Sequence, residues 1–128
     1  MYVEQGWTLT DVQVVALKSV CHEIDLSPGP GGSRITVLGH VKVGPIAGRG
    51  AVVALYPSSQ LVAHVDPPIA GRRYHLPLEV NDGCWVFHGG DWQQLVVGHV
   101  YEMDPTETHG AVNWGQERRL HLMVDTED

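Results

Sequence analysis

Turn-forming residues divide this chain into short segments from residue 34 onward, and this division restricts the possible folds more than any other feature. Fifteen glycines and eight prolines occur among the 128 residues. The segments between them are rich in β-branched and aromatic residues, which predicts strands. The predicted strands are Arg34–Val41, Ala51–Tyr56, Leu61–Val65, Arg73–Val80, Cys84–His88, Gln93–Val96, His99–Met103 and Arg119–Asp125. Many short strands joined by tight turns are typical of an all-β sandwich or barrel.

One helix is predicted ahead of the strands, over Thr8–Ile24. Its apolar residues recur at three- and four-residue steps and therefore share one face. These residues are Val14, Leu17, Cys21 and Ile24. Thr10, followed three residues later by Gln13, fits a capping box at the start of the helix. Because no repeat, low-complexity tract or linker interrupts the sequence, residues 1–128 are predicted to form a single domain.

Composition and charge argue against several classes of protein. The formal net charge is −7 at pH 7, and no basic run is present that would suit a nucleic-acid partner. No apolar run is long enough to cross a bilayer, and the first residues lack the pattern of a signal peptide. Cys21 and Cys84 could pair, but they are far apart in the sequence and form no CxxC motif. Reduced thiols in a cytoplasmic protein are therefore expected.

Two histidine motifs and one arginine stand out as candidates for chemistry. His64 and Asp66 are two residues apart, so in a strand both side chains would point to one face. Two prolines follow at once and would place the pair at a strand end. His109 with Asn113 four residues later, after a strand and a proline turn, is similar to the second half of a cupin motif. Arg119 begins the next β segment, and a guanidinium can bind a carboxylate through two parallel hydrogen bonds.

This set of side chains predicts a metal site. Two histidines and one carboxylate that leave coordination positions open form the facial triad of non-haem Fe(II) oxygenases. We therefore expect His64, Asp66 and His109 to bind Fe(II). An arginine one strand away is where such enzymes hold the far carboxylate of 2-oxoglutarate, which makes Arg119 the candidate for that contact.

Five segments carry a resemblance to a known family. They are His64-Val-Asp-Pro-Pro, Gly71-Arg-Arg-Tyr-His-Leu-Pro-Leu, Asn81, His109-Gly-Ala-Val-Asn and Arg119-Leu-His-Leu-Met-Val-Asp. Together, residues from about 51 to 125 resemble the aspartyl/asparaginyl β-hydroxylase family of Fe(II)- and 2-oxoglutarate-dependent dioxygenases. The resemblance implies a double-stranded β-helix domain, a jelly roll of the cupin-like type, with one N-terminal helix. The metal would lie inside the mouth of the barrel.

The resemblance also implies a role for each candidate residue. The two histidines and Asp66 would be the iron ligands, and Arg119 would pair with the distal carboxylate of 2-oxoglutarate. His75 would contact the carboxylate of 2-oxoglutarate that lies beside the metal. Arg73, on the same face as His75, would face the co-substrate or an acidic group of the substrate. Where some members carry a serine, eleven residues before the first histidine, this chain has Val53.

The expected activity is hydroxylation of a C–H bond in a free or peptidyl amino acid, with succinate and CO2 as co-products. The sequence indicates neither the substrate nor the oligomeric state. Two alternatives remain open. A cupin-type metalloenzyme would not use 2-oxoglutarate, and a ligand-binding module on the same scaffold would carry no activity. Each candidate residue taken alone also has a purely structural explanation, as a core histidine, a turn-capping carboxylate or a surface ion pair.

Overall fold

Ten strands, one α-helix and one 3₁₀ turn at Pro30–Gly32 make up the computed structural model, which describes residues 1–128. The helix, α1, covers Asp11–Cys21. The strands are β1 (Val3–Thr8), β2 (Ser33–Val43), β3 (Ile46–Leu55), β4 (Ser59–His64), β5 (Arg73–Glu79), β6 (Cys84–His88), β7 (Asp91–Gln93), β8 (His99–Met103), β9 (His109–Asn113) and β10 (Arg119–Asp125). The prediction of an all-β chain with one N-terminal helix is confirmed.

The strands form two antiparallel sheets. The larger sheet has the order β1-β8-β5-β10-β3-β2, and the smaller has the order β4-β9-β6-β7. After β3 the chain alternates between the sheets, with β4, β6–β7 and β9 in the smaller and β5, β8 and β10 in the larger. This winding brings strands that are distant in sequence face to face.

Strand β10 shows how the larger sheet serves both the core and a cavity. Leu120, Leu122 and Val124 are buried in the larger core cluster, against which α1 packs. The alternate residues Arg119 and Met123 point to the opposite face and line a cavity between the sheets. Because successive side chains of a strand point to opposite faces, alternate residues of β10 pack in the core and line the cavity.

The helix is capped as predicted but is shorter than the predicted Thr8–Ile24 at both ends. The Gln13 amide donates to the Thr10 hydroxyl at 3.1 Å, and the Thr10 amide donates to the Gln13 side-chain oxygen at 2.8 Å. This reciprocal pair is the predicted capping box. Thr8 belongs to β1 instead of the helix, and His22 caps the C-terminus.

Two strands, β1 and β9, were not predicted. Most of β1 is exposed, Gly6 has a φ of 76°, and the register with β8 shifts between Glu4 and Thr8. These features hide the two-residue alternation. Strand β9 contains small and polar residues with weak strand preference, and it is ordered by its two neighbours, β4 and β6. The strand predicted at Gln93–Val96 lies instead at Asp91–Gln93, so prediction and structure overlap only at Gln93.

Both cysteines are buried and form no disulfide, as expected. No helix in the structure combines the length and the apolar character required to span a membrane.

Candidate active site

A cavity of about 450 Å³ opens between the two sheets and is lined by sixteen residues. All six side chains singled out in the sequence border this cavity. They are His64, Asp66, Arg73, His75, His109 and Arg119. Its apolar wall includes Val53 and Met123 from the larger sheet and Leu61 and Ala111 from the smaller one. The volume is in the range of small-molecule sites.

The two candidate histidine ligands meet because their strands pair. His64 is the last residue of β4, His109 is the first residue of β9, and the two are partners in the antiparallel register. Their ring centroids are 4.4 Å apart. Asp66 lies just beyond the end of β4, and its amide donates to the Pro105 carbonyl at 2.9 Å.

Local hydrogen bonds select the same ring nitrogen of each histidine. Nδ1 of His64 lies 2.7 Å from the Val62 carbonyl, and Nδ1 of His109 lies 2.8 Å from the Glu107 carbonyl. Because a carbonyl only accepts, Nδ1 is the donor in each ring, and Nε2 is the atom left to bind a metal. A second hydrogen bond of this kind is what orients a metal-binding histidine.

Both free Nε2 atoms face the Asp66 carboxylate. His109 Nε2 is 3.2 Å from one Asp66 oxygen, and His64 Nε2 is 3.7 Å from the other. One ligand atom from each of these three residues lies within 4.8 Å of the other two. Two imidazoles and one carboxylate form a donor set that suits a divalent transition metal.

Arg73 orients the Asp66 carboxylate. Its Nη1 donates to Asp66 at 2.8 Å, while Nε and Nη2 donate to the two oxygens of Asp125 at 2.8 and 2.9 Å. Burial acts to raise the pKa of Asp66, but the hydrogen bond and charge of Arg73 outweigh it and lower the pKa below its usual range. The carboxylate is therefore ionised at neutral pH. Each guanidinium nitrogen of Arg73 already donates to a carboxylate of the chain, and its expected contact with the co-substrate or with an acidic group of the substrate stays a prediction.

Arg119 is buried without an acidic partner. Only 2% of it is exposed, its Nε makes no hydrogen bond, and it takes part in none of the ion pairs of the chain. Its neighbour Arg118 differs, since it donates to Glu79 at 2.8 Å. Burying an unpaired guanidinium costs free energy. We therefore expect an anion from outside the chain to bind Arg119.

His75 and His121 form a neutral pair beside Arg119. Their Nδ1 atoms are 3.2 Å apart, and both rings are buried. Burial, together with the charge of Arg119, holds the pKa of each well below its usual value. One Nδ1–H therefore donates to the other Nδ1, and His75 keeps Nε2 for a ligand in the cavity.

Sequence reasoning missed two contributors to the site, Asp125 and Tyr2. Asp125 pairs with Arg73 in the β5–β10 register, a contact that only the fold reveals. Tyr2 lines the cavity although it lies 62 positions before His64 in the sequence. Asn113 of the cupin-like motif is fully buried, and its amide donates to the Leu55 and Glu117 carbonyls, so it holds loops together outside the cavity.

The charges of the site fit a divalent metal together with a dianion. Asp66 and Asp125 are balanced by Arg73 and Arg119, so these four groups sum to zero. A divalent cation at the His64, Asp66 and His109 cluster and a dicarboxylate reaching Arg119 would enter together without a change in net charge. The orphaned Nε of Arg119 and the free histidine nitrogens are thus consistent with both groups.

Comparison with solved structures supports the fold. An uncharacterized conserved protein with a double-stranded β-helix domain from Klebsiella pneumoniae has a TM-score of 0.60 and 20% identity, covering 80% of this chain and 83% of its own. A cupin 2 conserved barrel domain protein from Salinispora arenicola has a TM-score of 0.52 and 14% identity over 79% and 87%. KdgF from Halomonas sp. has a TM-score of 0.55 and 15% identity over 97% of both chains. The predicted double-stranded β-helix, cupin-like fold is confirmed.

Sequence comparison identifies the family. No curated protein sequence matches the chain. The model of the aspartyl/asparaginyl β-hydroxylase family matches residues 39–128, which contain strands β3 to β10 and all six candidate site residues. The chain therefore belongs to the aspartyl/asparaginyl β-hydroxylase family.

Proposed function

We propose that this protein is an Fe(II)- and 2-oxoglutarate-dependent dioxygenase that hydroxylates a C–H bond of an amino acid or amino-acid residue. Family membership supports a hydroxylase, and the three converging side chains at the cavity support a metal centre. The free thiols of the chain suit a reducing, cytoplasmic setting.

One observation carries the assignment of the co-substrate. Arg119 is buried and unpaired at the same cavity that the metal-ligand candidates border. A cupin metalloenzyme that bound no anionic co-substrate would have no use for this guanidinium. A dicarboxylate that reaches from the metal centre to Arg119 satisfies it through charge-assisted hydrogen bonds.

Each residue of the site would have its own role in the reaction. His64, Asp66 and His109 would hold the iron, and Arg73 keeps the Asp66 carboxylate ionised and oriented. Arg119 would hold the distal carboxylate of 2-oxoglutarate, and His75 is available for the carboxylate beside the metal. The bound Fe(II) and 2-oxoglutarate supply the activation of O2 and the oxidation of the C–H bond, with release of succinate and CO2. The apolar walls limit access of water to this chemistry.

The experiment that tests the proposal measures 2-oxoglutarate binding and turnover by Arg119 variants. Arg119→Ala is expected to weaken 2-oxoglutarate binding by about 30- to 1000-fold, because roughly 2–4 kcal/mol of charge-assisted hydrogen bonding is lost. Arg119→Lys should recover part of this loss, since a point charge cannot reproduce the planar fork. Binding is measured by calorimetry on metal-loaded protein, and turnover by CO2 release from labelled 2-oxoglutarate with a panel of amino acids.

Arg118→Ala is the matched control. Arg118 is adjacent in sequence but pairs with Glu79 away from the cavity, so its loss should leave 2-oxoglutarate binding unchanged. Metal affinity should be unaffected in both variants. Unchanged 2-oxoglutarate binding in Arg119→Ala would overturn the co-substrate assignment and favour a cupin metalloenzyme without 2-oxoglutarate.

A further inference from the structure

Tyr2 reaches the candidate active site from the N-terminal end of the chain. It lies outside residues 39–128, the part that matches the family, and directly precedes β1. Its backbone is fixed by the Gln93 side chain, which accepts from the Tyr2 amide at 2.6 Å and donates to the Tyr2 carbonyl at 3.0 Å. The pairing of β1 with β8 holds the same segment against the larger sheet. These contacts of the Tyr2 backbone and of β1 therefore hold the Tyr2 ring at the cavity.

The Tyr2 hydroxyl forms no hydrogen bond within the fold. Tyr2 is only 5% exposed, yet its hydroxyl makes none of the hydrogen bonds of the structure, unlike those of Tyr56 and Tyr101. The fully buried atoms that lack a partner are His88 Nδ1 and Arg119 Nε. Since the Tyr2 oxygen is not among them, it retains contact with open space, and the space that Tyr2 lines is the cavity.

The chemistry of the surrounding cavity wall makes this hydroxyl distinctive. Among the sixteen lining residues, Tyr2 is the only one with a hydroxyl group. Val53, on β3, borders the same cavity and has an apolar side chain. The edge of the Tyr2 ring packs on His75 at a centroid distance of 5.2 Å.

Arg119 is the charged group that acts most strongly on the Tyr2 hydroxyl. Burial raises the pKa of Tyr2 to about 12, against the opposing charges of Arg119 and, more weakly, Arg73. The phenol is therefore protonated at neutral pH and can donate a hydrogen bond. Two hydrogen-bond donors without a partner in the chain, the Arg119 Nε and the Tyr2 hydroxyl, thus belong to residues that line the same cavity.

We propose that the Tyr2 hydroxyl donates a hydrogen bond to the distal carboxylate of the dicarboxylic 2-oxo acid that Arg119 holds. This inference rests on the proposed function and deepens it. It makes the N-terminal segment, which the family match does not include, part of the co-substrate site. Tyr2 then contributes to the selection of a 2-oxo diacid over a 2-oxo monoacid.

The test compares the binding of two acids to Tyr2→Phe and wild-type protein. Both proteins are loaded with Mn(II), so that the ligand is not consumed, and titrated with 2-oxoglutarate and with 2-oxobutanoate, which lacks a distal carboxylate. Loss of one hydrogen bond to a charged acceptor should raise the dissociation constant of 2-oxoglutarate about tenfold. The dissociation constant of 2-oxobutanoate should not change.

Tyr101→Phe is the matched control, because Tyr101 is also buried and its hydroxyl accepts from the Val96 amide away from the cavity. It should bind both acids as the wild type does. Equal weakening of both acids in Tyr2→Phe, or no weakening of either, would overturn the role of Tyr2 while leaving the proposed function intact. Failure of the wild type to bind 2-oxoglutarate would instead overturn the proposed function, and this inference with it.

Discussion

The side chains of the candidate metal centre are oriented by two different kinds of contact. Each histidine ring is oriented by the carbonyl two residues earlier, Val62 for His64 and Glu107 for His109. Each of these contacts joins residues two positions apart and is therefore local in the sequence. Asp66 depends instead on Arg73, which Asp125 holds from the opposite end of the sequence. The carboxylate is therefore the member of the cluster whose orientation depends on tertiary contacts.

Substitution of the carboxylate should separate metal binding from folding. Asp66→Ala is expected to reduce metal affinity by at least tenfold and to abolish most turnover, because the site loses its anionic ligand. The melting temperature of the metal-free protein should change little, since Arg73 keeps both of its bonds to Asp125. Equilibrium dialysis with Co(II) and thermal denaturation check the two expectations. Asp91→Ala, at an exposed carboxylate of β7, is the control and should change neither.

At the scale of elements, Glu79 connects three parts of the fold. It ends β5, pairs with Arg118 just before β10 at 2.8 Å, and lies 3.6 Å from Lys18 of α1. Burial acts to raise the pKa of Glu79, but the hydrogen bond and charge of Arg118, with the added charge of Lys18, outweigh it and lower the pKa below 4.5. The stabilisation is therefore fully present above the unfolded-state pKa and is lost as the pH falls through the folded-state pKa.

Removal of this carboxylate should destabilise the protein only where it is ionised. Glu79→Gln is expected to lower the free energy of unfolding by about 0.5–1 kcal/mol at pH 7. The difference from wild type should diminish as the pH falls from 7 to 3, because protonation of the wild-type carboxyl removes the charge that Arg118 and Lys18 attract. Urea denaturation at pH 7 and pH 3 measures the free energy of unfolding of both proteins. Glu23→Gln is the control, because Glu23 is exposed and lies beyond α1. A difference that persisted undiminished at pH 3 would contradict the electrostatic account.

At the scale of the whole molecule, the candidate metal cluster joins two strands of the smaller sheet to a loop held against the larger one. A metal at this cluster would link these parts in the folded state alone, so binding should stabilise the fold. A hundredfold excess of Zn(II) over its dissociation constant corresponds to about 2.7 kcal/mol. A rise of roughly 10 °C in melting temperature is expected for a domain of this size.

Differential scanning fluorimetry with and without Zn(II) measures this shift, and a chelator should reverse it. His64→Ala is the matched variant, because His64 is exposed and its loss leaves the core intact. The variant should show little shift at the same metal concentration. An equal shift in wild type and variant would contradict metal binding at this cluster.

The sequence by itself determined the elements with strong local signals and the identity of the cavity residues. The capping box at Thr10 and Gln13 is a contact within four consecutive residues, so the local sequence suffices to predict it. The alternation along β10 likewise separates Arg119 from Leu120 without reference to any other strand. The six candidate site residues could be found because their spacing resembles that of a known family.

Only the tertiary structure decided which groups are paired and which remain free. The strands β1 and β9 owe their existence to partners distant in sequence, and the roles of Arg73 and Arg119 depend on whether a carboxylate lies across the sheet. Arg73 faces Asp125 in the β5–β10 register, whereas Arg119 faces only the cavity. Tyr2 joins the site because β1 pairs with β8. Such long-range pairing is set by the global packing of the sheets, and no local pattern of residues encodes it.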